Sequence, residues 1–338
     1  MSKFSLDVLN RCVYPYLKSS DPDVLSGAVF GEDVALTKVG GDLLVSHLDP
    51  IVGAVNQIGY LAVHVACNDI ATSGARPRWI LVLVLVPHKQ DEQLLAEIMA
   101  DIRRAADEVG VTIIGGHTGY SSNLSRPLVA VTALGVLSDR APILTRGARI
   151  GDHVFLTKGI ALEGTAILAS DFVKTAKKLG LTEKEIIEAR HILGSVSVLP
   201  EAMIFAQAGA TAMHDVTRGG LLETLLEISQ LSGVKLRIDA NQIPIPAVVE
   251  RFAQAFQFDP LKMISSGTLI ATIPPDQIER VQSEFKKNDI VYADIGEVAS
   301  GKGVEIFRDG KMTVYQEIRC EEDELARMWE IYQPDNQQ

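Results

Sequence analysis

Residues 80–86 read Ile-Leu-Val-Leu-Val-Leu-Val with no polar interruption. That run has the length of a strand, and a strand apolar on both sides needs cover on both. The chain around it alternates between the two periods of regular structure. Residues 5–18 predict a first helix, ended by Asp21-Pro22-Asp23. Ala35–Val39 and Leu43–Leu48 predict two strands joined at Gly40-Gly41-Asp42, a hairpin signal. Residues 57–74 carry Ile58, Leu61, Ala62, Val65 and Ala66 on one helical face, and Gly74 and Pro77 mark the end. Asp91–Gly110 predicts an amphipathic helix with acids early and a glycine stop. Short strands follow at Val111–Ile114 and Leu128–Val136, where Gly135 marks a bulge or a close backbone approach.

A turn-like break at residues 148–152 precedes what reads as a second pass. It predicts strand Val154–Thr157, a helix from Gly164, and a long helical stretch over 182–208. Strand Ala210–Met213, helix Gly220–Ser232 and strand Lys235–Ile238 come next. Strands Thr268–Ile273 and Ala293–Val298 then flank a helix over 275–287. Alternation with a central break predicts an α/β (α+β) chain of two domains, 1–147 and 148–315, with a helix or tail over 316–338.

Composition narrows the function classes. A net charge of −11 repels phosphate backbones, so nucleic acid is not the expected partner. It leaves a nucleotide possible, because local amides, lysines and a divalent cation override the global field. Cys12, Cys67 and Cys320 are far apart and form no CxxC pair, which argues against a disulfide framework or zinc site. The N-terminus has no apolar signal core, and the longest apolar run is too short to span a bilayer. A cytoplasmic location follows as an expectation.

Three groups of residues could carry chemistry. Glu32, Asp33, Asp49 and Asp69 fall around strand ends and in a helix. Carboxylates so placed can converge on Mg²⁺, which prefers hard oxygen ligands, or serve as turn and surface acids. Asp69 stands out, since Val63, Val65, Ile70 and Ala71 make its helix a buried one and buried acids need partners. Gly115-Gly116-His117-Thr118 follows a predicted strand, as an anion-binding turn or a plain one. His214-Asp215-Val216-Thr217-Arg218-Gly219-Gly220 joins a strand to a helix N-terminus, where free N–H groups and an arginine suit phosphate. The same segment also reads as an N-cap with packing glycines. Thr157-Lys158-Gly159 and Leu162-Glu163-Gly164-Thr165 read as one more glycine-containing turn.

Taken in order, these pieces resemble the AIR-synthase-like (PurM-like) superfamily, and within it the hydrogenase-maturation HypE branch. Gly31-Glu32-Asp33-Val34-Ala35 is similar to its G-D-D-A-A element, and Ser46-His47-Leu48-Asp49 to its T-T-D strand end. Asn68-Asp69-Ile70-Ala71-Thr72-Ser73-Gly74-Ala75-Arg76-Pro77 resembles N-D-[IL]-A-x-x-G-A-x-P. Gly115-Gly116-His117-Thr118 is similar to G-G-D-T, and residues 215–220 to D-x-T-R-G-G. Asp259-Pro260-Leu261, Ser266-Gly267 and Ile295-Gly296-Glu297-Val298 stand where the branch has D-P-L, E-G and I-G-E-V.

The resemblance implies N-terminal halves that pair across a homodimer into a β-barrel, and ATP in a cleft between two α/β domains. It implies Mg²⁺ ligands at Asp33, Asp49, Asp69 and Asp215, with Asn68, Gly115, Gly116, Thr217, Arg218, Gly219 and Gly220 at the nucleotide. Asp69, Asp215 and His117 would carry the catalysis, with ATP phosphorylating a poorly reactive oxygen of a small molecule or protein-borne group. Hydrogenase-maturation proteins are the implied partners. His117 replaces the aspartate of G-G-D-T and Glu32 an acidic partner. The segment around Cys320 and the residues from Gln333 onward differ from the branch's Pro-Arg-Ile-Cys tail, which argues against self-modification. A small-molecule kinase similar to thiamine-monophosphate kinase, and a nucleotide-binding accessory protein without turnover, are the competing expectations.

Overall fold

The computed structural model describes residues 4, 6–17, 19–52, 56–317 and 323–335. Cys320 lies outside them. The first half opens with α1 (Leu6–Cys12), β1 (Val24–Ser26), β2 (Ala35–Val39) and β3 (Asp42–Ile51). Then come α2 (Ile58–Thr72), β4 (Arg76–Val86), α3 (Glu92–Val109), β5 (Thr112–Tyr120) and β6 (Leu128–Leu137). Its six strands order as β1-β2-β3-β6-β4-β5, antiparallel except for the β4–β5 pair joined through α3.

Helix α3 is amphipathic as expected: Ile98, Ile102, Ala105 and Ala106 are buried, and Gly110 ends it in the left-handed region. Helix α2 has the buried setting expected around Asp69 and goes beyond the single apolar face read from Ile58, Leu61, Ala62, Val65 and Ala66, for every one of its residues is buried. It packs on β3, β4, β6 and α3, and reaches across to elements of the second half. A helix covered all round needs no polar stripe for solvent, so its polar residues His64, Asn68, Asp69 and Thr72 face other protein groups. Strand β5 also departs from the sequence expectation. It runs on through Gly115 and Gly116 instead of turning there. Ile114 is an extra residue opposite the Ile80–Leu81 step of β4, and past this bulge the Val82 carbonyl is so close that a Cβ on Gly116 would lie 1.9 Å away. Gly135 is a close approach too, with a Cβ there 2.7 Å from Ile70.

The second half contains β7 (His153–Thr157), α4 (Leu162–Asp171), α5 (Val173–Lys178), α6 (Glu183–His191) and α7 (Leu199–Gln207). It continues through β8 (Ala212–Asp215), α8 (Gly220–Ser232), β9 (Lys235–Asp239), α9 (Ala247–Phe256) and β10 (Leu269–Ile273). It finishes with α10 (Ile278–Lys287), β11 (Tyr292–Ala299), β12 (Gly303–Arg308), β13 (Lys311–Tyr315) and α11 (Glu324–Ile331). The seven strands order as β13-β12-β9-β11-β7-β10-β8.

The long helical stretch expected over 182–208 is two helices, interrupted by a 3-10 turn and residues 196–198. Side chains from outside the stretch take the backbone groups freed by that break. Asn68 donates to the Val196 carbonyl at 2.8 Å and accepts from the Val198 amide at 2.9 Å. Lys158 Nζ donates to the Ser195 and Gly267 carbonyls at 3.0 and 3.2 Å, and pairs with buried Glu201 at 2.9 Å. The two halves are clasped at this segment, and one apolar core runs through both. Among the described residues, no helix is long and apolar enough to cross a membrane.

Candidate functional site

Strand alternation aims the first acids. On β3, Leu48 is 62% exposed while Val45 is buried beneath α2, so His47 and Asp49 share the Val45 side. Asp69, near the end of α2, meets them there: His47 Nε2 is 3.4 Å from Asp69 Oδ2. His47 Nδ1 reaches the backbone carbonyl of Asp33, which ties the loop before β2 to the same spot. The second half contributes β8. Its last residues, His214 and Asp215, are fully buried against the first half. His214 Nε2 lies 3.3 Å from Asp33 Oδ1 and 3.0 Å from Glu227 Oε2 of α8.

Asp33, His214 and Asp215 each present a ligand atom within 4.8 Å of the others. Burial pushes the Asp69 carboxyl well above the usual carboxylate range, and Asp215, Asp33 and Asp49 push it further. Asp215 is raised in the same way, by burial, then Asp33, with Asp49 adding. Asp33 is raised by burial, against the pull of His214. Burial works against the cation of His214 as well, yet Asp33 and Glu227 outweigh it and lift the imidazole to about 10.

The four aspartates proposed as ligands therefore act on one another from both halves. Among the described residues, neither carboxylate oxygen of Asp215 finds a hydrogen-bond donor on another residue, nor does Oδ2 of Asp33. Buried acceptors without donors are rare, and mutually repelling carboxylates are stabilised by a cation. This donor set, hard oxygens with open lone pairs, fits Mg²⁺.

The turn after β8 is built as a strand-to-helix junction. Gly219 and Gly220 both have positive φ, and a Cβ on Gly220 would lie 2.6 Å from the Leu261 carbonyl. Thr217 and half-buried Arg218 precede the α8 N-terminus in this turn. Asn68, expected at the nucleotide, spends both ends of its amide on Val196 and Val198. Glu32 is likewise engaged elsewhere, with Arg146 at 2.7 Å and the Thr145 amide at 3.2 Å. Lys158 is held by backbone carbonyls and Glu201.

His117 does not join the cluster within one chain. It pairs in register with Leu83 and, beyond that, Ala130 and Pro50, on the sheet face opposite Asp49. Asp49 aligns instead with Val131, Val82 and Gly116, three strand spacings or about 14 Å across. Gly115, Gly116 and His117 are exposed on the edge strand.

Sequence reasoning missed Glu163, which is 4% exposed at the start of α4. Burial raises its carboxyl to about 7, Ser266 hydrogen bonds oppose this, and Asp49 and Arg218 also act on it. Its signal was an acid among Ile160, Ala161, Leu162 and Gly164, the same argument that found Asp69.

Known proteins share the fold. The N-terminal domain model of AIR synthase related proteins matches residues 31–137, and the C-terminal domain model matches 149–309. The chain is 29% identical to selenide, water dikinase of Myxococcus xanthus over 327 residues, 86% of this chain and 89% of that protein. It is 30% identical to carbamoyl dehydratase HypE of Bradyrhizobium diazoefficiens, over 75% of this chain and 72% of that one. Among solved structures, AaThiL complexed with AMPPCP and TMP superposes with a TM-score of 0.72 at 19% identity, over 93% of this chain and 98% of that one. Hydrogenase maturation protein HypE in complex with ATP gives 0.71 at 21%, over 89% and 91%. With both domain models matched in order and relatives covering most of its length, the chain belongs to the AIR synthase related (PurM-like) family.

Proposed function

We propose that this chain binds ATP with Mg²⁺ at the aspartate cluster and uses the γ-phosphoryl group to activate an oxygen of a small molecule or of a group carried by a partner protein. The observation that carries the reading is the meeting of Asp33, Asp49, Asp69 and Asp215 from two halves of the chain, with Asp69 and Asp215 buried and oxygens of Asp33 and Asp215 left without donors among the described residues. These four would hold the ion, and Mg²⁺ when bound supplies charge neutralisation for the triphosphate. Arg218 and the α8 N-terminus offer donors for phosphate oxygens, because the helix dipole and free N–H groups favour anions. His214, held by Asp33 and Glu227, fixes the Asp33 side of the cluster. His47 fixes Asp69 in the same way. The names of the similar HypE proteins support a carbamoyl-type acceptor, and a solved HypE–HypF complex supports a partner-borne one.

The chain works as a homodimer in this reading. Leu48, Thr132 and Leu81 form a row across β3, β6 and β4 on the face that α2 leaves uncovered, and Leu48 and Leu81 are exposed there. A second copy would cover that face and bring its own β5, with His117, to it.

Melting with and without ATP·Mg²⁺ tests the site. Ligand at about 100 times its Kd stabilises by about 2.7 kcal/mol, a shift of about 5 °C for a chain of this size. Asp69→Ala should abolish most of that shift while the ligand-free protein melts no lower, since a mutually repelling carboxylate is removed. An unchanged shift would take Asp69 out of the site. A kinase-type reading, with the phosphoryl group kept on a stable product, is favoured by the similarity to selenide, water dikinase across most of the chain. Phosphorus NMR of the products separates the two: a new phosphorylated compound for the kinase, free phosphate for transient activation.

A further inference from the structure

Glu163 is a buried acid with half of its hydrogen-bonding capacity accounted for. The amide and hydroxyl of Ser266 both donate to its carboxylate. Its Oε2 is buried and has no hydrogen-bond partner among the described residues. The backbone on both sides of Glu163 is held in place. The Leu162 amide donates to Ser265 Oγ at 3.0 Å, and the Gly164 amide to the Ile264 carbonyl at 3.0 Å. Gly164 sits so tightly on Met263 that a Cβ would lie 2.2 Å from its sulfur. Lys158 holds the Gly267 carbonyl next in line. The start of α4 and residues 263–267 thus form one rigid platform.

The platform faces the first half. Outside Ser266, the groups acting most strongly on Glu163 are Asp49, which comes from β3, and Arg218, which comes from the turn before α8. Asp49 and Arg218 are the residues read above as an Mg²⁺ ligand and a phosphate donor, so Glu163 interacts with both parts of the proposed nucleotide site. A buried acceptor oxygen without a donor is explained by a donor that arrives from outside the chain.

We infer that Glu163 receives the phosphoryl acceptor: its Oε2 takes the hydrogen bond of an uncharged acceptor's O–H or N–H and holds the attacking oxygen against the bound nucleotide. The inference rests on the ATP reading above and extends it to the acceptor. The surrounding carboxylates select against an anionic acceptor, which leaves water, hydroxyl or amide groups as the fitting class. In the step, the acceptor oxygen bonds to the γ-phosphorus and the bond from that phosphorus to the β,γ-bridging oxygen breaks. ADP leaves with that electron pair. The acceptor's proton passes to Glu163 Oε2 and from there to solvent.

The test uses the full chain with ATP·Mg²⁺, with water as acceptor and, in parallel, hydroxylamine. Phosphate release and acceptor phosphorylation are measured, together with the melting shift given by AMPPCP·Mg²⁺. Glu163→Gln should lower kcat by about 100-fold or more, as loss of a positioned proton acceptor does. KM for ATP should stay within about threefold, and the AMPPCP shift should be kept. Ser266→Ala, which leaves the carboxylate in place but loosens it, should lower kcat by about tenfold with KM unchanged. It carries the test if Glu163→Gln fails to fold. Turnover within about twofold of the unsubstituted chain in the folded variants overturns the inference. So does loss of the AMPPCP shift in Glu163→Gln, which would put the residue in the nucleotide grip. Absence of any transfer by an unsubstituted chain that binds AMPPCP also overturns it. An unsubstituted chain that shows no AMPPCP shift fails earlier, at the nucleotide site, and the inference falls with that reading.

Discussion

His64 lies 3% exposed in α2, its ring centroid 4.4 Å from that of Tyr60 and its Nε2 3.3 Å from Glu108. Burial lowers its pKa to about 4, against the pull of Glu108. The unfolded chain takes up a proton near the ordinary value of 6.5. Between pH 6.5 and 4 the unfolded state therefore binds more protons, and stability falls as pH falls. The window is worth roughly 3 kcal/mol. His64→Phe should remove that part of the pH dependence, so urea unfolding across this range should show a shallower loss than in the unsubstituted chain. Parallel curves would contradict the assignment. At this scale Asp69 could be read from sequence, because an acid inside an apolar helix demands a partner. Asn68 could not. Its donor and acceptor serve a backbone break about 130 positions away, and nothing local announces that.

Elements with a strong period were legible, and those shaped by other elements were less so. The α3 pattern and the β2–β3 hairpin follow from local residues. The α2 helix was recognisable, and the apolar residues around Asp69 marked it as a buried one; that part of its cover comes from the second half was not legible. Strand β5 looked like a strand stopping at glycines, because Gly115-Gly116 is also a turn signal; β5 instead bulges at Ile114 and runs on with Gly116 close against the Val82 carbonyl of β4. The apolar run within β4 announced two covered faces, and the single chain covers one. Leu48→Arg on the open face should convert the proposed homodimer to a monomer by light scattering, with the melting temperature of the ligand-free monomer little changed. A variant that keeps its mass would place the partner copy elsewhere. A parent chain that is monomeric at all accessible concentrations would contradict the homodimer.

At the scale of the molecule, motifs in the correct order announced a two-sheet chain, because each motif marks a strand end or a helix start. The meeting of those motifs was a matter of topology. The packing of β8 against α2 brings His214 and Asp215 to Asp33 and Asp69. The same packing leaves His117 on the far face, a separation that no spacing in the sequence reveals. Crystals grown with AMPPCP and Mn²⁺ in place of Mg²⁺ test the account most directly, because manganese is located by its anomalous scattering. The account predicts a peak bound by oxygens of Asp33, Asp49, Asp69 and Asp215 together with the triphosphate. A nucleotide seated without metal at these carboxylates, or a metal bound away from them, would contradict it.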